Sequence, residues 1–519
     1  MIAVDWLIFA SLLAGLVALS WGFRRYMRSV ADFLIVNRSM RTYLGVSTWG
    51  MEGIGLISIA YIAEQGFTSG LSYVWMTLLN TALYIPVFGI VGFGIRRFRA
   101  TRVQTIPQYH ELRYSKGVRI SNGIVLATGG ILNMAIFPIV SSHFLIRFMG
   151  LSNTIVVFGA EWQCVYLIML LLIGISLAIA LMGGMVTVIV TDYAQSVILV
   201  STLFVITALS LQRVGFDKFD LTLRENFGEA GFNPFVTSAE GQGFGVTWVA
   251  FFLLSGMLAP LCFPPSTTKL SSTDSTNTTR KLALLNQILS PGRAILVLLW
   301  GVCALAAMGT TPPSDGGVDY ARYATAEFAH NVTPSGLLGL CAAGMVFAYV
   351  ATGNSYFLAW SAIVVNDVIA PLRASPLSQQ LHIRLLRIVM VCIAAFLFVW
   401  GLLYDPAESL LEYIYLTGAI MTAAAIVTFF GLYWRRANSL GAYLTVAFCL
   451  LVPVADLIGK KLIDDYPLRG HESGLIAILL SFLVFFVTGL LSRSGEARWH
   501  DYGEDVREED RLRNAARMG

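Results

Sequence analysis

The chain has 519 residues, of which 56% are hydrophobic and only 13% charged, a balance that excludes an ordinary water-soluble domain and points to a protein crossing a membrane many times. The formal net charge is only +4, and the basic residues gather in particular loops, so charge argues topology and not nucleic-acid binding. The six cysteines sit in or beside apolar runs without metal-ligand spacing, as packing residues would.

Apolar runs long enough to cross a bilayer recur almost to the C-terminus and, at roughly twenty residues each, give about thirteen spans. The first, Val4 to Gly22, has Asp5 near its start and Arg24, Arg25 and Arg28 behind it. A cleaved signal peptide carries its positive charge in front, so this run is expected to stay as a span with its N-terminus outside. The second, Tyr43 to Ala63, holds Gly45, Gly50, Gly53 and Gly55 around Glu52. Each glycine in a helix interior costs about 1 kcal/mol, and an acid at bilayer depth costs about 2.5 to 3.5 kcal/mol. The helix is therefore expected to break there, which is tolerated only where the backbone is buried in protein or lines a wet cavity.

Spans Leu71 to Ile95, Ile120 to Met149, Val165 to Met182 and Val186 to Leu211 follow. In the seventh, Phe244 to Phe263, Gly256, Pro260, Pro264 and Pro265 interrupt a helical run. The rest are Ala294 to Met308, Leu337 to Val368, Leu385 to Tyr404, Leu410 to Trp434, Ala442 to Ile458 and Leu475 to Leu491. The two interrupted spans stand five apart. That is the spacing of an inverted repeat of five plus five helices whose first members are discontinuous and whose site lies between them. The expected fold is an all-α polytopic membrane protein with helices 2 and 7 broken.

The predicted inside loops, Arg24 to Arg41, Arg96 to Arg119, Lys269 to Arg293, Arg373 to Arg387, and Arg435 with Arg436, hold most of the Lys and Arg. The longest predicted outside loops, Gln212 to Gly243 and Thr310 to Ser335, are mixed or acidic. An odd number of spans puts the C-terminus in the cytoplasm, with the tail from Arg493 solvated there. Within the spans, Asp192 must face the bundle interior, because an unpaired carboxylate in lipid is too costly. His143, beside Ser141 and Ser142, is a candidate for substrate or proton handling, and Asn133, Asn354 and Glu412 are weaker substrate candidates. No phosphate-cradling loop, nucleophile with its base or metal cluster is present in the sequence, so an enzyme is not expected.

Four motifs then carry a resemblance. Asp32-Phe33-Leu34-Ile35-Val36-Asn37-Arg38-Ser39-Met40, Thr105-Ile106-Pro107-Gln108-Tyr109-His110-Glu111-Leu112-Arg113-Tyr114, Met182-Gly183-Gly184-Met185 with Thr191-Asp192-Tyr193-Ala194-Gln195, and Asn366-Asp367-Val368-Ile369 resemble, in order, segments of the sodium:solute symporter family. The resemblance implies alternating access by a ten-helix core, residues 43–434, coupled to Na+ and needing no organic cofactor. Residues 1–42 are then a peripheral first span and basic loop, 435–491 two peripheral spans, and 492–519 a cytoplasmic tail. The family's cation site uses carbonyls three residues apart in the first core helix and small or hydroxyl residues in the eighth. Matched from Gly45-Val46-Ser47, the carbonyls are those of Gly50 and Gly53; matched from Gly70-Leu71, they are those of Met51 and Ile54. Counting back from Asp367 gives Ala348, Ala351 and Thr352, where the family commonly has two adjacent hydroxyls. The missing oxygen admits a compensating ligand such as Glu52, proton coupling through that carboxylate, or loss of tight coupling. The resemblance also places Asp192 on the cation path, Ser58 against the solute, and Lys269 at the inner gate in place of a Gln-Arg pair.

The function implied is sodium-coupled symport of a small polar organic solute, whether a sugar, sugar acid, amino acid or carboxylate, by a monomer in the cell membrane. The alternatives are a proton-coupled symporter of the same fold and a solute sensor without tight ion coupling. Fold alone does not select the solute.

Overall fold

The computed structural model describes residues 1–157, 159–236, 244–309, 320–403, 410–463, 466, 468–492 and 495–518. Its main helices are α1 (Ala3–Phe23), α2 (Thr42–Glu52), α3 (Leu56–Ser69), α4 (Ser72–Tyr84), α5 (Ile106–Arg113), α6 (Lys116–Ala135), α7 (Phe137–Met149) and α8 (Cys164–Val214). They continue with α9 (Gly245–Cys262), α10 (Pro264–Ser272), α11 (Thr276–Met308), α12 (Tyr320–Val332), α13 (Leu337–Ala362) and α14 (Gln379–Leu403). Last come α15 (Leu410–Tyr433), α16 (Ser439–Leu462), α17 (Gly470–Leu491) and α18 (Tyr502–Met518). A short antiparallel hairpin, Thr154–Val157 with Ala160–Gln163, is an exception to the helical pattern.

Among the described residues, 11 helical stretches are long and apolar enough to cross a membrane, or 12 if the bent pair α2 and α3 is one span. The count falls short of thirteen because the fifth and sixth expected spans follow each other without a loop in one stretch, α8, 51 residues long, as two helices with a kink between them. They meet at Gly184, whose φ of 56° is costly for any residue with a Cβ, and whose face is closed by the Phe33 carbonyl and ring.

Both expected breaks are present. α2 and α3 meet at 60° across Gly53–Gly55, and α9 gives way to α10 at Phe263, where φ is −105° and ψ 107°. Pro264 and Pro265 start α10, where their missing N–H groups cost least. At the centre stands α13, in which every residue from Cys341 to Ala362 is buried; a helix apolar all round belongs inside a bundle. Its N-terminus is capped by Asp5 of α1, whose Oδ1 accepts the N–H groups of Gly336 at 2.7 Å and Gly339 at 3.0 Å. The acid ahead of the first span is thus a helix cap between elements far apart in sequence.

On the face that carries the basic loops, two of the sequence motifs meet. Asp367 is wholly buried and accepts from Thr105 Oγ1 at 2.9 Å and Arg119 Nε at 2.9 Å, while Arg119 Nη2 donates to the Asn366 carbonyl at 2.8 Å. The C-terminal tail, expected as a solvated end that is helical or disordered, is helical and docked on the loops. Asp510 pairs with Arg96 at 2.6 Å, Asp501 with Arg97 at 3.2 Å, and Glu509 accepts the Thr276 N–H at the start of α11 at 2.8 Å.

His110 on α5 is wholly buried, with Nε2 2.9 Å from Thr428 Oγ1. Burial pushes its pKa down to about 3. An imidazole that stays neutral when folded but charges near pH 6.5 when unfolded contributes stability that falls as pH drops from about 6.5 towards 3. Acidifying from pH 6.5 to 5 should therefore cost about 2 kcal/mol through this group alone. His110→Gln, which can keep a bond to Thr428, should flatten that part of the melting-temperature profile.

Candidate functional site

The break between α2 and α3 leaves backbone unpaired. Gly53 donates to Trp49 O at 3.4 Å, Ile54 turns to Met51 O at 3.4 Å, and regular bonding resumes with Ile59 to Gly55 O at 3.0 Å. The Ile54 N–H that would have closed the turn onto Gly50 is thereby diverted, and the Gly50 carbonyl loses its helical donor. The C-terminal end of α2 is the negative end of a helix dipole, suited to a cation.

Two adjoining cavities, about 360 Å³ and about 320 Å³, open beside this break and share Trp49, Gly53, Tyr61, Ala259, Phe263, Ser266 and Asn286 as lining. The smaller is lined by Glu52, Ser58, Asn133, Thr352 and Tyr356, so the broken pair α2 and α3, with α6 and α13 far from it in sequence, brings predicted residues to one space. The larger runs along α4, α9 and α11 to Asn80, Gln287 and Arg293.

Glu52 is not free. It pairs with Lys269 of α10 at 2.9 Å, and its Oε1 accepts from Ser266 Oγ at 2.6 Å. Lys269 also donates to the Thr48 carbonyl at 2.8 Å. Both charges are buried, Lys269 wholly. The proline-started turn of α10, behind the break in α9, aims this lysine at the end of α2. Lys269, expected at a gate, is thus the counter-ion of the acid beside the break. On the same face of α2, one turn before Glu52, Thr48 donates to Asp192 Oδ2, leaving Asp192 Oδ1 buried without a hydrogen-bond partner.

Thr352 Oγ1 donates to Ala348 O in its own helix at 3.1 Å, and its side chain closes the space where a Cβ at Gly55 would lie. Gly53, Glu52 and Thr352 therefore share one cavity, with Ala348 and Ala351 buried behind them in α13. Gly50 faces the other way, with the Arg293 guanidinium where its Cβ would be.

Asn133 lines the cavity, but its amide already donates to Thr417 Oγ1 at 2.7 Å. Asn354 is buried in α13, outside the cavity lining, with neither amide atom partnered. His143 is removed from the site and lies half-buried with its ring 5.6 Å from that of Tyr323 on α12. The Glu412 side chain lies outside the described residues. Sequence reading missed Arg293, which stands at the end of the predicted inside loop Lys269 to Arg293, and Ser266. The missed signal is helical spacing: Asn286, Ser290 and Arg293 recur at i, i+4 and i+7 along α11, and all face the cavity.

A model of the sodium:solute symporter family matches residues 33–448. The chain belongs to the sodium:solute symporter family. Among solved structures, this family member is similar to a substrate-bound, outward-open Na+-coupled sialic acid symporter, with 17% identity and a TM-score of 0.77 over 94% of this chain and 98% of that one. It is also similar to a nucleobase-cation-symport-1 family transporter in a closed conformation with bromovinylhydantoin bound, with 14% identity and a TM-score of 0.55 over 91% of this chain and 98% of that one. No curated protein matches the chain. At these identities the structural likeness establishes the fold, and the family places this symporter-family chain among secondary transporters and not enzymes.

Removing one member of a buried ion pair strands the other at a cost of about 3 to 5 kcal/mol. Glu52→Gln and Lys269→Met should each lower stability on that scale, while the double variant should cost clearly less than their sum. Additive losses in thermal unfolding would show that the pair is not coupled.

Proposed function

We propose that this chain is a sodium-coupled symporter that carries a small polar organic solute inward by alternating access. The N-terminus is outside, the C-terminus lies in the cytoplasm, and the 43–434 core is arranged as an inverted repeat around the broken helices. The observation that carries the reading is the break at Gly53–Gly55, which frees the Gly50 carbonyl and opens a cavity shared by Gly53 and the Thr352 hydroxyl. A hard monovalent cation takes oxygen ligands, and discontinuous helices offer them at mid-membrane. The cation site proposed is the carbonyls of Gly50 and Gly53 with Ala348, Ala351 and Thr352 across from them, and Asp192 as the charged group along its path. Ser58 and Asn133, which line the cavity, are proposed solute contacts.

Charge supports sodium over a proton carried by Glu52. Lys269 and Ser266 occupy that carboxylate, whereas Asp192 keeps a buried oxygen without a partner. Moving one positive charge inward gains about 2.3 kcal/mol per 100 mV, enough for roughly fifty-fold solute accumulation before any sodium gradient is added.

Counterflow in proteoliposomes, with and without a sodium gradient, tests the proposal. Uptake should require Na+, and Thr352→Ala should raise the half-saturating Na+ concentration roughly ten- to hundredfold, the effect of losing one bond to a charged group. An unchanged sodium dependence in that variant would remove Thr352 from the site. Accumulation under a proton gradient alone would favour protons, and binding without uphill movement would favour a sensor.

A further inference from the structure

The larger cavity contains a charge that the proton and sodium arguments do not use. Arg293 projects from α11, 17 residues into that helix, and lines the cavity beside the break. Its Nη2 donates to Asn286 Oδ1 at 3.0 Å, its Nε has no partner, and its guanidinium lies against the backbone of Gly50, where any side chain would displace it. Among the described residues no carboxylate pairs with it, in contrast to Lys269 with Glu52 and Arg322 with Glu64. Every other polar group around it is neutral: Thr77, Asn80, Asn286, Gln287, Ser290 and the nearby tyrosines. Asn80 Oδ1 is likewise buried without a partner.

A permanently charged fork in a membrane-spanning helix, facing a cavity and lacking a counter-ion, is arranged to receive one from outside. We infer that the solute is a small organic monoanion, a monocarboxylate, whose carboxylate is held by Arg293 and whose body lies towards the smaller cavity. The inference rests on the transport reading of this cavity and adds the solute class. A single uncompensated positive charge selects a monoanion over a dicarboxylate. A planar guanidinium matches both oxygens of a carboxylate at once. Beyond the charge, Trp49, Tyr61 and Phe263 line both cavities and Tyr356 lines the smaller one, so the body of the solute meets aromatic and apolar surface as well as Ser58 and Asn133. Cavities of about 360 Å³ and about 320 Å³ admit a small molecule of this kind.

Thermal-shift titrations of the purified full chain in NaCl test this, using propionate, lactate and phenylacetate against propionamide, lactamide and phenylacetamide. At least one carboxylate should raise the melting temperature, and its amide, equal in shape but uncharged, should bind at least tenfold more weakly. Arg293→Gln should abolish the carboxylate shift, and Arg293→Lys, which keeps the charge and loses the fork, should retain part of it. A shift produced by Na+ alone in Arg293→Gln shows that the variant is folded; if it does not purify, the carboxylate and amide pairs in the wild type and in Arg293→Lys decide. An amide that matches its carboxylate, an unchanged shift in Arg293→Gln, or no response to any of the three carboxylates would overturn the inference. The symporter proposal fails separately, through sodium-independent counterflow, so sodium-driven movement of a neutral solute would sink the monocarboxylate and leave the symporter standing.

Discussion

A helix interrupted at the depth of a bilayer cannot leave its freed backbone groups and charges to lipid, and much of this protein is arranged to meet that constraint. Once the Ile54 N–H turns to Met51, the end of α2 carries an unclosed carbonyl at Gly50 and an acid at Glu52. The break in α9 brings α10 across to answer it: on that short helix Ser266 hydrogen-bonds Glu52 Oε1 and Lys269, three residues on, forms an ion pair with Oε2 and reaches the Thr48 carbonyl as well. One discontinuity is therefore satisfied by the other. Neither would be tolerable alone, because an unpaired Glu52 or Lys269 in a dry interior would cost several kcal/mol.

The charges around the break divide into those already balanced and those left open. Glu52 and Lys269 neutralise each other, as do Glu64 and Arg322 at 3.0 Å between α3 and α12. Asp192 and Arg293 are different. The first keeps a buried oxygen without a partner, the second a guanidinium whose only bond is to a neutral amide. They flank opposite sides of α2, since Asp192 bonds Thr48 while Arg293 lies against Gly50. An unpartnered carboxylate oxygen and an unpaired guanidinium thus stand on either side of one broken helix.

Away from the cavity, the same economy ties loops to helix ends. Asp5 caps α13 and Glu509 meets the first N–H of α11, while Asp367 ties the Thr105 hydroxyl and the Arg119 guanidinium together. Helix ends expose orphan N–H groups, and a carboxylate satisfies them while favouring the positive end of the dipole.

Hydropathy and local chemistry were enough to establish the membrane class, most span positions and both breaks, because lipid forces apolar runs of a set length and glycine and proline penalise helix locally. The motifs containing Thr105 and Asp367 were legible as separate segments, and so was the importance of Glu52. What Glu52 does was not legible, since its partners lie more than 200 residues away along the chain and are chosen by how α10 packs. The fifth and sixth expected spans follow each other without a loop, because the turn between them is made at one residue, Gly184, whose positive φ kinks the chain between two helices. Arg293 was hidden for the opposite reason: Pro291 and Gly292 imitate a loop, yet packing keeps α11 helical through them and turns the guanidinium inward. His143 looked functional because it is polar within an apolar run, and only the tertiary structure placed it against Tyr323, away from the cavity. Sequence alone determined where the chain must cross the membrane and where it must break, since those costs are local. Which charges are neutralised and which await a ligand was decided by helix packing, since a charge is balanced only by what is brought within a few ångströms of it.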